Sequence, residues 1–127
     1  MRKELLFVLL ILVAGCRAKP LDESVVNVEL MDQQFREIDP ISSAQKVNVS
    51  AKANIGQFNI YVFLDKDKAE VEKEIAQGKA GAKVLAHKLK ESDEANLQAN
   101  IPANERAVVA LTSADGKKAE VKLKISN

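Results

Sequence analysis

At 127 residues the chain has the size of one domain. Its composition, 46% apolar and 29% charged with five Gly and three Pro, excludes the disordered, collagen-like and disulfide-framework classes. Lys plus Arg number 19 against 18 Asp plus Glu, so no basic excess points toward nucleic acid. The single cysteine, Cys16, excludes an internal disulfide, and a lone Cys with a lone His, His87, excludes a multi-ligand zinc site of the usual kind. No cofactor and no metal are expected.

The first element is a leader. Met1, Arg2, Lys3 and Glu4 precede an apolar run from Leu5 to Gly15, with no further charge until Arg17. A positive start followed by a short apolar stretch is the pattern of a secretory signal. The run would reach about 16 Å as a helix at ~1.5 Å per residue, well short of the ~30 Å hydrocarbon core. A transmembrane span is therefore a poor reading.

The run ends Val13-Ala14-Gly15-Cys16, which resembles a bacterial lipobox. The resemblance implies a diacylglyceryl thioether on the sulfur of Cys16, cleavage between Gly15 and Cys16, and acylation of the new amino group. Each position suits that chemistry: a nucleophilic sulfur, small residues before it for the peptidase, and an apolar residue at Val13. Two alternatives stand beside it, a buried free cysteine and ordinary cleavage at a nearby small-x-small site. Arg17 follows Cys16, where Asp would retain an enterobacterial lipoprotein in the inner membrane; the resemblance therefore favours the outer membrane.

Without residues 1–15 the counts become 17 basic and 17 acidic, a formally neutral body. Residues 16–24 read as a lipidated polar tether and 25–127 as the folded domain. Period-two alternation dominates from there, setting alternate side chains on opposite sheet faces. Val26, Val28 and Leu30 form one row. Val47, Val49, Ala51 and Ala53 oppose Lys46, Asn48, Ser50 and Lys52. Phe58, Ile60, Val62 and Leu64 oppose Asn59, Tyr61, Phe63 and Asp65. Asp67 to Ala80 breaks the rhythm: Val71 and Ile75 lie four apart, Asp67 precedes Glu70 as in a capping box, and Gly78 supplies a stop. This predicts one short amphipathic helix that crosses between strands, in one arrangement from one sheet to the other.

A strand over 83–90 follows, then rows headed by Ala95, Ala107 and Ala119. Asp115-Gly116, between the last two, is a hairpin turn signal because both residues tolerate positive φ. The expected fold is mainly β: an antiparallel β-sandwich of about seven to eight strands with one short crossover helix. A closed barrel is the alternative. From Val47 to Ile125 the layout resembles β-sandwich domains of the pre-peptidase C-terminal type. That resemblance is carried by the strand from Phe58 to Asp65, the Ile101-Pro102-Ala103 segment and the closing Val121-Lys122-Leu123-Lys124-Ile125. It implies a secreted accessory domain and assigns no functional residue.

Candidate chemistry is sparse. No Gly-x-Ser-x-Gly, His-Glu-x-x-His or phosphate loop is present. The expectation is a non-enzymatic envelope module, membrane-anchored through Cys16, with the bilayer, an envelope protein or a glycan as its partners and no nucleic acid. A second hypothesis is a cell-wall glycan or calcium site at Tyr61, Phe63, Asp65 and Asp67, where aromatic rings would stack on sugar and carboxylates would supply oxygen ligands. It competes with Tyr61 and Phe63 packing under the helix and Asp67 capping it. A third hypothesis is a hydrolase centred on His87, which alternation groups with Leu85 and Leu89.

Overall fold

The computed structural model describes residues 20–29 and 32–127. The leader, Gly15 and Cys16 lie outside the described residues, as does Leu30. The described chain forms eight strands and one α-helix: β1 (Pro20–Val28), β2 (Gln33–Ile38), β3 (Gln45–Ile55), β4 (Phe58–Leu64), α1 (Lys68–Ala76), β5 (Val84–Glu91), β6 (Glu94–Ile101), β7 (Ala107–Ser113) and β8 (Ala119–Ser126). Because β1 begins at Pro20, residues 20–24 belong to a sheet and not to the expected tether.

The strands form two four-stranded sheets with every neighbouring pair antiparallel. Sheet I has the order β1-β8-β3-β6 and sheet II the order β2-β7-β4-β5. The β-sandwich is therefore present, and its two separate sheets replace the barrel alternative.

The main core lies between the sheets. Val26 and Val28 of β1, Val47, Val49 and Ala51 of β3, and Val121, Leu123 and Ile125 of β8 meet Phe58, Ile60 and Val62 of β4 and Val109 and Leu111 of β7. These are the alternating apolar rows, and burial of each large side chain stabilises the fold by about 1.5–3 kcal/mol relative to exposure. A second cluster covers the other face of sheet II. There Tyr61 and Phe63 of β4 and Val108 and Ala110 of β7 pack under Val71 and Ile75 of α1. A strand buried on both faces needs apolar residues in succession, which explains why all of β4 except Asn59 is buried.

Two expected connections differ. The Asp115-Gly116 turn exists, with the Asp115 carboxylate accepting the Lys117 N–H at 3.0 Å, but it joins β7 of sheet II to β8 of sheet I and makes no hairpin. Each of these strands is central in its own sheet, so the chain must arch across the core between them. Conversely, α1 does not carry the chain between sheets: it joins β4 to β5, which pair directly within sheet II. All other consecutive strands lie in different sheets. The β3–β4 crossing turns at Gly56, whose φ of +76° and close backbone neighbour suit glycine alone: a Cβ there would meet the Lys118 carbonyl oxygen at 2.7 Å.

The helix is shorter than the 67–80 expected. Asp67 occupies the N-cap, but its side chain makes no cap hydrogen bond; its Oδ1 instead lies 3.4 Å from Lys83 Nζ. Gly78 ends the helix as expected, with φ +73° and its N–H donating to the Ile75 carbonyl at 2.8 Å. Among the described residues, no helix is long and apolar enough to cross a membrane.

Candidate functional site

The structure takes apart the set Tyr61, Phe63, Asp65 and Asp67. Tyr61 and Phe63 are both 0% exposed beneath α1, so neither ring can stack on a sugar, and the glycan site expected on them is withdrawn. Asp65 sits exposed in the 3-10 turn that leads into α1. Asp67 is only 15% exposed in its side chain and pairs with Lys83, which also reaches Glu70 Oε2 at 3.2 Å. Glu70 first, then Asp67, hold the Lys83 ammonium above the ordinary lysine range. A carboxylate engaged by an ammonium is a poor calcium ligand. No group of three or more His, Cys, Asp or Glu among the described residues is arranged to hold a metal ion, and the calcium part of that hypothesis falls with the aromatic part.

His87 is exposed on β5, between exposed Leu85 and Leu89 and opposite Tyr61. The grouping expected from alternation is therefore present. Its chain neighbours are Ala86 and Lys88 and its cross-strand partner is the buried Tyr61, so no Ser or Asp stands beside it in the sheet, and β5 is an edge strand of sheet II.

Where α1 ends, a cavity of about 310 Å³ opens over sheet II, lined by Gln33, Asn59, Ile75, Gly78 and Thr112 among others. Asn59 Nδ2 donates to Thr112 Oγ1 at 3.1 Å, and Asn59 Oδ1 accepts the Lys90 N–H at 2.9 Å. The Tyr61 hydroxyl and the Gln33 side-chain oxygen are buried without a hydrogen-bond partner. Burial pushes the Tyr61 pKa up, and the adjacent Thr112 hydroxyl offsets part of that rise.

Among the described residues no helix covers the outer face of sheet I, since α1 packs on sheet II. Register partners share a face, so its side chains form rows across the four strands. One row runs Val25, Lys122, Lys52, Glu94, and the next runs Glu23, Lys124, Ser50, Asn96. Beyond them lie Ser126, Asn48 and Gln98, with Gln98 Nε2 donating to Asn48 Oδ1 at 2.9 Å. Ser50 Oγ donates to Glu94 Oε1 at 3.3 Å. Lys46 stands opposite Asn100. Alternation groups Lys46 and Lys52 in one polar row but does not reveal the basic surface, because period two does not say that β3 lies beside β8.

No family model matches the sequence, and no curated protein matches it significantly. The fold is similar to that of the pre-peptidase C-terminal domain of a collagenase from Bacillus anthracis, with a TM-score of 0.52 at 10% identity over 81% of this chain and 88% of that one. A second solved structure, PliG from Aeromonas hydrophila, a periplasmic inhibitor of g-type lysozyme, gives a TM-score of 0.47 at 12% identity, covering 89% of this chain and 88% of that one. The class defined here is an antiparallel β-sandwich with one helix over one sheet. The likeness to the collagenase domain is one of fold, as the sequence resemblance implied.

Proposed function

We propose that this chain is a lipid-anchored bacterial envelope protein whose β-sandwich acts as a non-enzymatic interaction or accessory module. The observation that carries this reading is the Val13-Ala14-Gly15-Cys16 motif at the end of a short apolar leader, followed within four residues by Pro20, where β1 begins. Cleavage between Gly15 and Cys16 leaves Cys16 as the first residue, with acyl chains on its sulfur and its amino group. Each buried methylene adds about 0.8 kcal/mol of membrane affinity, so more than one chain makes the attachment persistent. Arg17 after Cys16 favours the outer membrane over the inner. The sandwich then serves the envelope by what it touches: the bilayer, an envelope protein or a glycan. The absence of a catalytic motif from the sequence supports a binding role.

Mass spectrometry of the protein extracted from the membrane fraction tests this directly. The expected N-terminal peptide begins at Cys16 and carries diacylglyceryl and acyl masses. An unmodified Cys16, or a chain that still contains residues 1–15, overturns the reading.

A further inference from the structure

The described residues expose six large hydrophobic side chains: Leu21, Val25, Ile41, Ile55, Leu85 and Leu89. Val25 lies on the outer side of β1, opposite Lys122, because Val26 and Val28 point into the core, and Leu21 stands exposed at the irregularity between Pro20 and Asp22 where β1 begins. Ile55 stands opposite Glu120 on the same outer face of sheet I. These apolar positions border exposed Lys52, Lys122 and Lys124, with exposed Lys46 further along β3. Lysine stems can cover apolar surface while their ammonium groups reach a polar layer. A face that mixes apolar side chains with lysines suits the boundary between acyl chains and anionic headgroups. Glu23, Glu94 and Glu120 share the face, so its net excess is one positive charge and the apolar contacts must contribute beside it.

The connection to the anchor is short. Cys16 lies four residues before Pro20, a span of at most about 14 Å at 3.3–3.6 Å per residue. Strand β1 is an edge of sheet I, so the chain that follows Cys16 enters the sandwich at the rim of this face. Standing on end, the sandwich would bring only the start of β1 to the headgroups. Lying flat, it brings Leu21, Val25 and the lysines to them together, and it leaves α1 and sheet II facing away. We propose that the outer face of sheet I lies flat on an anionic bilayer. The inference rests on the anchoring proposed above and names the surface that the anchor presents to the membrane.

The single cysteine makes a test independent of cellular acylation. The chain from Cys16 onward, which holds every described strand, is coupled through Cys16 to maleimide lipid in vesicles of phosphatidylcholine with phosphatidylglycerol, or of phosphatidylcholine alone. Lysine acylation by a water-soluble ester is then read by peptide mass spectrometry. On the anionic vesicles Lys52, Lys122 and Lys124 are expected to react about fivefold more slowly than in the uncoupled protein, the factor matching about 1 kcal/mol per lysine at an anionic surface. Lys66 and Lys73 are expected to be unchanged. The Lys122→Glu variant should lose the protection at Lys52 and Lys124. Equal reactivity of all lysines, equal protection on neutral vesicles, or protection of Lys66 and Lys73 instead overturns the proposal. Protection that appears only on adding a soluble protein or glycan overturns it as well and assigns the face to that partner. An unmodified Cys16 in cells overturns the anchoring alone, because the vesicle experiment supplies the lipid chemically.

Discussion

Lys52 and Lys122 stand directly opposite each other on β3 and β8, two exposed ammonium groups joined by no ion pair among the described residues. Like charges at such a position oppose pairing of their strands. The Lys122→Glu variant replaces that repulsion with an attraction and is expected to raise stability by about 0.2–1 kcal/mol. Urea unfolding checks it; a lowered midpoint with an unchanged slope contradicts it. The same substitution removes a lysine from the face proposed to meet the bilayer, so a gain in stability and a loss of membrane protection are expected together.

Ile75 ties α1 to sheet II: it is 5% exposed and packs with Tyr61, Phe63 and Val71. Ile75→Ala is expected to cost about 2–4 kcal/mol, since it removes a buried side chain and leaves a cavity. Tyr61 is the only tyrosine and the chain has no tryptophan, so intrinsic fluorescence reports on this layer alone. An emission change and a lower urea midpoint are expected; a variant as stable as the parent would show that the helix contributes little.

Tyr61 buries its hydroxyl beside the Thr112 hydroxyl without a well-formed hydrogen bond. Tyr61→Phe is therefore expected to change stability by less than about 1 kcal/mol in either direction, because little bonding is lost and a buried polar group is removed. The titration has a definite sign. Burial raises the pKa in the folded state, so the unfolded chain releases this proton first, near pH 10. Stability is unaffected by this group below pH 10 and falls as pH rises above it, toward the folded-state pKa. Urea midpoints at increasing pH should decline through that window in the parent and more shallowly in Tyr61→Phe. Tyrosinate absorbance that develops in the folded protein at the ordinary tyrosine pKa would contradict the burial.

Gly56 is held at positive φ against the Lys118 backbone. Gly56→Ala is expected to destabilise by about 1–3 kcal/mol, combining the left-handed backbone with a steric conflict. Gly78, also at positive φ, has open space around its missing Cβ, so Gly78→Ala should cost less, about 1 kcal/mol. Thermal melts of the two variants compare them; an equal loss would mean that the contact with Lys118 is relieved without penalty.

The parts of the fold legible in the sequence were those governed by side-chain direction. The rows Phe58, Ile60, Val62, Leu64 and Val121, Leu123, Ile125 enter the core as alternation requires, and Tyr61 with Phe63 under α1 follows from apolar residues on both faces of one strand. Strand β2 was missed because Gln33, Gln34, Arg36 and Glu37 surround its two apolar residues, Phe35 and Ile38, which lie on opposite faces. Pairing was hidden for another reason: period two assigns a side chain to a face but gives no neighbouring strand. Hence Asp115-Gly116 looked like a hairpin, and Lys52 beside Lys122 could not be seen. The glycan hypothesis failed on the same helix that explains its aromatics.

The repeated crossing between sheets also decides when the fold can form. Among the described strands, only β4 and β5 are consecutive in the chain and paired in space, and α1 separates even these. The first strand waits for the last, since β1 pairs along its length with β8. A topology built from distant pairings folds in milliseconds to seconds, because chain closure must precede any gain from contact. Among the described strands no tight hairpin can lock early, and β1 finds its partner only once β8 has been made.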